Sequence, residues 1–366
     1  MKRIVVELLW LPFRAMPWVL GAAVLMAWHG TGVTPVSAQT LELGPVETVI
    51  GDLHEPASHV FGQIRHLEVD GDGNLYVLDR HANDIRVFNA RGEFIDGVGG
   101  GGQGPGEFRG LRGVTLSGGG LMHAVDEGNA RVSTFELTET GLEFRDSASL
   151  GFVPYDVCAL GSIRFVLVGG GPATGELIHA LDEEGNVIRT FGEREFPEGE
   201  LREIKGDRSD LLNQGFLHCD EERDLLFFLH LARPLLRAFS PTGEEVWRTT
   251  IPDYHEQRYA LGRNGLCCRY PLPDPDSGTY HHGYQVTGDG TGRILVSLIE
   301  THWERREQAY EIRLFDADTG AQVGHQRTNA FVGAVHEDRA YSFRYWYAGN
   351  QDPEFVPQVI VRTLER

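Results

Sequence analysis

The sequence predicts an all-β chain folded as a six-bladed β-propeller, with its last blade closed by a strand from the N-terminal end. Three observations carry that reading. A strand–turn–strand–loop–strand–turn–strand unit recurs along the chain. Its anchor residues return at spacings that suit a four-stranded blade. A lone apolar segment, Leu41 to Ile50, precedes the first full unit, while the last unit stops one strand short.

The clearest unit runs from Ile64 to Ile95. Its runs are rich in Val, Ile, Leu, Phe and Tyr, and Asp, Asn and Gly punctuate them, as strands and tight turns require. The third strand ends on Phe88, ahead of a glycine turn. The same frame returns at Phe135, Leu181, Phe239 and Phe315, followed by Gly141, Gly185, Gly243 and Gly320, and a degenerate sixth copy spans Val356 to Leu364. Positions 88, 135, 181, 239 and 315 lie 47, 46, 58 and 76 residues apart. A four-stranded blade takes about 40–50 residues, so the first two spacings are bare blades and the last two carry insertions. The insertions fall between Gly192 and Leu211 and between Pro252 and Tyr280. Beyond Gln39 no long segment has the 3.6-residue period of a helix, which disfavours a parallel α/β fold. Leu41 to Ile50 then supplies the missing outer strand of the sixth blade, so that no sheet edge is left open by an unclosed array.

Residues 1–38 read as a signal peptide. Lys2, Arg3 and Arg14 precede an apolar run from Trp18 to Trp28 that is short for a spanning helix, and Val36-Ser37-Ala38 suits cleavage before Gln39. An uncleaved anchor is the alternative. The mature domain is 39–366, expected in the periplasm or secreted, with no stable membrane insertion after cleavage. Losing Lys2, Arg3, Arg14 and Glu7 removes a net +2 from the total of −20, leaving −22. Such a chain repels phosphate backbones and anionic membrane surfaces, so nucleic acid is not an expected partner. Export permits disulfides. Of Cys158, Cys219, Cys267 and Cys268, the first two fall in comparable strands of neighbouring repeats and form the favoured pair, although spacing alone does not fix the connectivity.

Val69-Asp-Gly-Asp-Gly-Asn-Leu-Tyr-Val-Leu-Asp79 followed by Ile85-Arg-Val-Phe88 resembles an NHL repeat. Gly99 to Phe108, ending Gly-Pro-Gly-Glu-Phe, is similar to the inter-repeat linker of exported bacterial six-bladed propellers. The resemblance implies the architecture. It assigns no activity, because many functions share this fold. Six-bladed relatives include metal-dependent lyases and lactonases, which keeps a hydrolase or lyase with a divalent metal in the central channel as the alternative reading.

Label the strands of a blade a to d from centre to rim. Both insertions are d-to-a connections, and the b-to-c connection Glu300 to Gln308 is also long. All three decorate one face, where binding is expected on a rigid scaffold. The innermost strands begin there. Arg65, His66, Arg112, Tyr155, Asp156, His282 and Trp303 are therefore the candidate ligand contacts, among b-to-c residues such as Arg80, Asp126 and Glu127. Arginine at this mouth, in an acidic chain, suits an anionic or carboxylate-bearing ligand. The expected partner is a small molecule, a glycan or a peptide, bound by a module for which no catalytic residues emerge. Ion pairing with neighbouring carboxylates is the plainer role for the same arginines. His281, His282 and His302 are the candidate metal ligands, although adjacent strand residues point to opposite faces. Asp70-Gly-Asp-Gly-Asn74 has Leu75 where a calcium loop needs glycine and reads as a turn. Gly99 to Gly106 lacks the Lys-Ser/Thr of a phosphate loop, and no Gly-x-Ser-x-Gly is present.

Overall fold

Every predicted unit folds as an antiparallel four-stranded sheet in the computed structural model, which describes residues 40–138, 141–170, 175–195, 213–256, 273–305, 307–344 and 356–365. Residues 1–39 (which include the expected signal peptide), the centres of both insertions, Cys267, Cys268, Arg306 and Tyr345–Tyr347 lie outside these residues.

The chain starts with β1 (Glu42–Ile50). Blade 1 is β2 (Ile64–Val69), β3 (Leu75–Asp79), β4 (Asp84–Phe88) and β5 (Phe94–Gly99). Blade 2 is β6 (Leu111–Ser117), β7 (Leu121–Asp126), β8 (Arg131–Thr138) and β9 (Gly141–Ser149). Blade 3 is β10 (Val153–Leu160), β11 (Ile163–Gly170), β12 (Ile178–Leu181) and β13 (Val187–Phe191). Blade 4 is β14 (Gly215–Asp220), β15 (Leu225–His230), β16 (Leu235–Phe239) and β17 (Glu245–Thr250). Blade 5 is β18 (Thr279–Gly288), β19 (Arg293–His302), β20 (Glu307–Asp316) and β21 (Gln322–Thr328). Blade 6 is β22 (Phe331–His336), β23 (Arg339–Phe343) and β24 (Val359–Glu365), with β1 as its outer strand.

The first strands of neighbouring blades pack side by side, and β2 meets both β6 and β22, so the ring is closed. β1 pairs antiparallel with β24 from Glu42↔Glu365 to Ile50↔Val359. Gln326 of blade 5 fastens it further: its amide accepts from the Leu41 N–H and donates to the Leu41 carbonyl, both at 2.7 Å. Inner strands are buried on both sides, whereas outer strands such as β5 and β17 alternate towards solvent. The anchors Phe88, Phe135, Leu181, Phe239 and Phe315 are all buried between blades.

Buried arginines pin the d-to-a connections. Arg86, Arg237 and Arg313 each stand two residues before the anchor phenylalanine. Each donates Nη1 to a carbonyl of the preceding connection: Val60 at 2.6 Å, Glu193 at 2.9 Å and Pro252 at 3.0 Å. Each also has a carboxylate partner, Asp84, Glu245 or Glu311. A guanidinium removed from water needs such partners on several N–H groups at once.

The Cys158–Cys219 disulfide joins β10 to β14, and so staples blades 3 and 4 at the channel wall. Asp70 accepts from the N–H groups of Asp72 and Asn74 and from the Tyr76 hydroxyl, with Gly73 at φ 81°. Its oxygens are committed to the turn. No helix among the described residues is long and apolar enough to cross a membrane.

Candidate functional site

The antiparallel course of the blades sends the b-to-c and d-to-a connections to one face and the a-to-b and c-to-d turns to the other. The connection from β23 to β24 is a further long b-to-c connection in the chain.

What fills the channel mouth is set by β-bulges. A bulge leaves one residue of a strand without a partner and re-aims its side chain. In β2 the pairing steps from Ile64↔Asp79 to His66↔Leu78, skipping Arg65. In β6 it skips Arg112, in β10 Tyr155, in β18 Tyr284 and in β22 Gly333. Only β14 pairs without a break, and it contributes Phe216. The skipped side chains of β2, β6, β10 and β18 meet, together with Phe216 and with Phe331 of β22, since Gly333 has no side chain. The Arg65 guanidinium lies 4.8 Å from the ring centre of Phe216, 5.5 Å from Tyr155 and 5.9 Å from Tyr284. The Arg112 guanidinium lies 4.9 Å from Tyr155, and Tyr284 stacks on Phe331 at 4.2 Å. Blades 1 to 6 thus each send one side chain to a plug of rings and guanidinium groups.

The charge at this plug is unbalanced. Arg112 donates Nε to Glu127, as the ion-pair reading expects. Arg65 has no carboxylate within ion-pair distance among the described residues. Burial opposes its charge, but Tyr155, Tyr284 and Asp156 outweigh burial and keep it protonated. Arg80, at the end of β3, makes no side-chain hydrogen bond or ion pair among the described residues. Burial and then the nearby charges of Arg112 and Arg65 push its pKa down. Three guanidinium groups therefore meet two carboxylates, Glu127 beside Arg112 and the buried Asp156 near Arg65, in a chain of net charge −20.

The structure brings together Arg65, Arg112 and Tyr155 of the expected contacts, and places the rest elsewhere. His66 and Asp156 are buried, as Arg65 and Tyr155 are, and their side chains bond within the fold. Asp156 accepts from the Leu217 N–H at 2.8 Å, and its carboxylate lies against Gly113, where a Cβ would stand 2.2 Å from Oδ1. Burial lifts its pKa to about 6 against the pull of His66. His66 bonds Glu68 at 3.2 Å, and that partner more than offsets its burial, raising its pKa. His282 sits edge-on to Tyr280 at 5.1 Å and is held at about 4 by burial and by His281. Trp303 is exposed on the β19–β20 connection, its backbone N–H donating to the Gly278 carbonyl. No hydrogen bond, ion pair or ring contact joins His282 or Trp303 to the plug among the described residues. Asp126 is taken up by the N–H groups of Arg109, Gly128 and Asn129.

The expected metal set is also divided. His282 points away from His281, as strand alternation requires, and His302 accepts from the Arg305 N–H. Among the described residues the one group of three donors within 4.8 Å is His281, Glu300 and Glu311. It suits a metal poorly. Arg313 holds Glu311 at 2.7 Å, Arg327 holds Glu300 at 2.7 Å and lies 3.5 Å from Glu311, and the His281 Nδ1 accepts from the His255 N–H. A divalent ion there would face two guanidinium groups, and Glu311 fills the same place beside Arg313 that Asp84 fills beside Arg86.

Arg80 was legible as a loop residue but not as the centre of the site, and Phe216 and Tyr284 were not legible at all. Bulges carry no residue-type signature here, since Arg, Tyr and Gly all occupy them.

Comparisons agree with this architecture. A family model described as a 6-bladed beta-propeller, DUF5128, matches residues 53–203, less than half of the chain. No curated protein sequence matches. Among solved structures, a Bacteroides fragilis protein provisionally described as exported aligns with TM-score 0.54 and 14% identity, over 92% of this chain and 98% of its own. A member of the DUF4221 family from Bacteroides vulgatus aligns with TM-score 0.57 and 11% identity, over 90% of this chain and 99% of its own. At such identities the likeness speaks for the fold alone. The chain is a six-bladed β-propeller closed by its N-terminal strand.

Proposed function

We propose that this chain is an exported binding module, mature from Gln39, whose long-connection face takes a small anionic ligand at the channel mouth. One observation carries the reading: Arg65, Arg80 and Arg112 gather around Tyr155, and the carboxylates that act on them are Glu127, paired with Arg112, and the buried Asp156 near Arg65. Arg80 and the Nη groups of Arg112 offer donors that match carboxylate or phosphate oxygens. Arg65 adds charge from beneath, where low dielectric strengthens it. The cluster favours an anion of more than one charge, whether free or borne on a glycan or peptide. The Cys158–Cys219 disulfide fits an oxidising compartment, periplasmic or extracellular.

Calorimetric titration of the mature chain with citrate tests this. Wild type binds saturably and more weakly as salt rises, and Arg80→Ala loses about 10- to 100-fold, since a charge-assisted bond contributes about 1.5–3 kcal/mol. Equal affinity in wild type, Arg80→Ala and Arg112→Ala would remove the site. Metal analysis of the same material separates the catalytic alternative: stoichiometric zinc or another divalent metal would favour a hydrolase or lyase, and its absence is the expected result.

A further inference from the structure

On the face of the tight turns, a groove of about 860 Å³ runs between blades 1 and 2. It begins at the ends of the innermost strands, beside Val69 and Leu116, and reaches the outer strands beside Ile95 and Gly141. Four strands lie across it, so it is about 14 Å long. Glu221 reaches its inner end from the β14–β15 turn of blade 4.

A run of glycine keeps the groove open. Blade 1 turns through Asp70-Gly-Asp-Gly-Asn74, whereas blade 2 turns through Ser117-Gly-Gly-Gly120. A Cβ at Gly119 would meet nothing within 4 Å, and one at Gly118 would meet only the Glu221 Oε1, at 4.0 Å. Gly119 and Gly120 have φ of 82° and 73°, which the turn demands of glycine. Gly118 lies outside that region, so the backbone would accept a side chain there.

The floor is apolar. Val69, Leu116 and Leu137 are only half-buried where they pack on the inter-blade cores, and Ile95 is exposed. Polar groups are spaced along it, from Ser117 through Asn74 to Thr138. The Asn74 amide donates to Asp70, and its Oδ1 meets no donor among the described residues.

The charge at the inner end is all negative. Asp70, Asp72 and Glu221 line the groove, and no Arg, Lys or His does. The donors on Asp70 are neutral: N–H groups of its turn, the Asn74 amide and the Tyr76 hydroxyl. None of the three carboxylates has an ion pair among the described residues. The cations around them are engaged elsewhere. Arg91 faces Glu93 at 3.3 Å, Arg339 faces Glu47 at 2.8 Å and Arg223 faces Asp220 at 3.0 Å. Behind Ser117, burial and then Arg164 hold His123 down to about 4, so it is neutral at pH 7. Arg145 and Arg164 themselves line the next cavity, together with Asp146 and Glu183. His336 stands behind Gly73, on the blade 6 side of the turn, with Glu337 and Asp338.

We propose that this groove is an interaction surface for an extended peptide segment, with a lysine or arginine at the inner end and apolar side chains towards the rim. A segment of about four extended residues spans the groove. Its basic side chain would answer carboxylates that the chain itself leaves without a cation, and its apolar side chains would cover the floor. A peptide backbone carries polar groups along its whole length, as the groove does, whereas an alkyl chain would leave Asn74 and Ser117 without new partners. The surface lies on the face opposite the anion site and takes the opposite charge.

The test is calorimetric titration of the mature chain with acetyl-Lys-Leu-Thr-Leu-amide, and with analogues in which norleucine or glutamate replaces the lysine. The lysine peptide should bind saturably and more weakly as salt rises. The norleucine analogue should bind about fivefold more weakly, as loss of an exposed ion pair allows, and the glutamate analogue more weakly still. Asp72 and Glu221 are exposed, so Asp72→Asn/Glu221→Gln should melt as wild type does. That variant should bind the lysine and norleucine peptides alike, and Gly118→Phe should block both. Absence of saturable binding, equal affinity of wild type for the lysine and norleucine peptides, or an Asp72→Asn/Glu221→Gln variant that still tells them apart would each overturn the proposal. Octylammonium binding as tightly as the lysine peptide would overturn it too, by making a small amine the occupant.

Discussion

Asp156 shows how a single residue couples the interior of the ring to pH. Its folded pKa of about 6 lies above its ordinary value of 3.8. The folded state therefore binds more protons than the unfolded state between those values, and stability falls as pH rises through that window. His66 acts in the same sense: raised by Glu68 against burial, it contributes stability that is complete below its ordinary 6.5 and lost as pH rises through its folded value. Arg65, His218 and Glu68 complete the charged surroundings of the pair. Asp156→Asn should accordingly be more stable than wild type at pH 7, by up to about 3 kcal/mol, and the advantage should shrink towards pH 4. Thermal melts from pH 4 to 7.5 check it, and a variant less stable at every pH would show that the carboxylate is held as a needed acceptor from Leu217. The residue scale is also where sequence reading was weakest. It placed Arg65, Arg112 and Tyr155 at the starts of inner strands because strand starts can be counted, but it could not see the bulges that bring these three side chains together.

At the scale of elements, closure and stapling are the features to test. Gln326 binds both backbone groups of Leu41, so Gln326→Ala leaves a half-buried N–H and C=O without that partner. A loss of about 1–3 kcal/mol is expected in chemical denaturation. Deleting residues 40–50 should do more, exposing the edge of β24, lowering the melting temperature and promoting aggregation. A stable, monomeric deletion variant would mean that the ring holds without its N-terminal strand. The Cys158–Cys219 bond spans 61 residues, and chain entropy gives such a loop about 4 kcal/mol. Cys158→Ala/Cys219→Ala should therefore unfold at clearly lower denaturant. Strand order and closure were legible because turn glycines and anchor phenylalanines repeat in phase. The arginines that pin the d-to-a connections were visible in the same copies, at 86, 237 and 313, yet their role needed the carbonyls that only the fold brings near.

For the whole molecule, the repeat has two consequences. It builds six similar sheets, and it leaves function to what differs among them: bulged side chains at one mouth, and long connections gathered on that same face. Net charge of −20 makes a local excess of guanidinium groups informative, because the average field would draw carboxylates to them. That only Glu127 and the buried Asp156 do so at Arg65, Arg80 and Arg112, among the described residues, is the basis of the proposed anion site. The most direct test is a crystal of the mature chain grown with selenate, read in an anomalous difference map. The account predicts a selenium peak within hydrogen-bonding reach of Arg80 and Arg112, lost in Arg80→Ala. A map in which a carboxylate of the chain itself occupies that place, with no selenium peak beside these arginines, would contradict it.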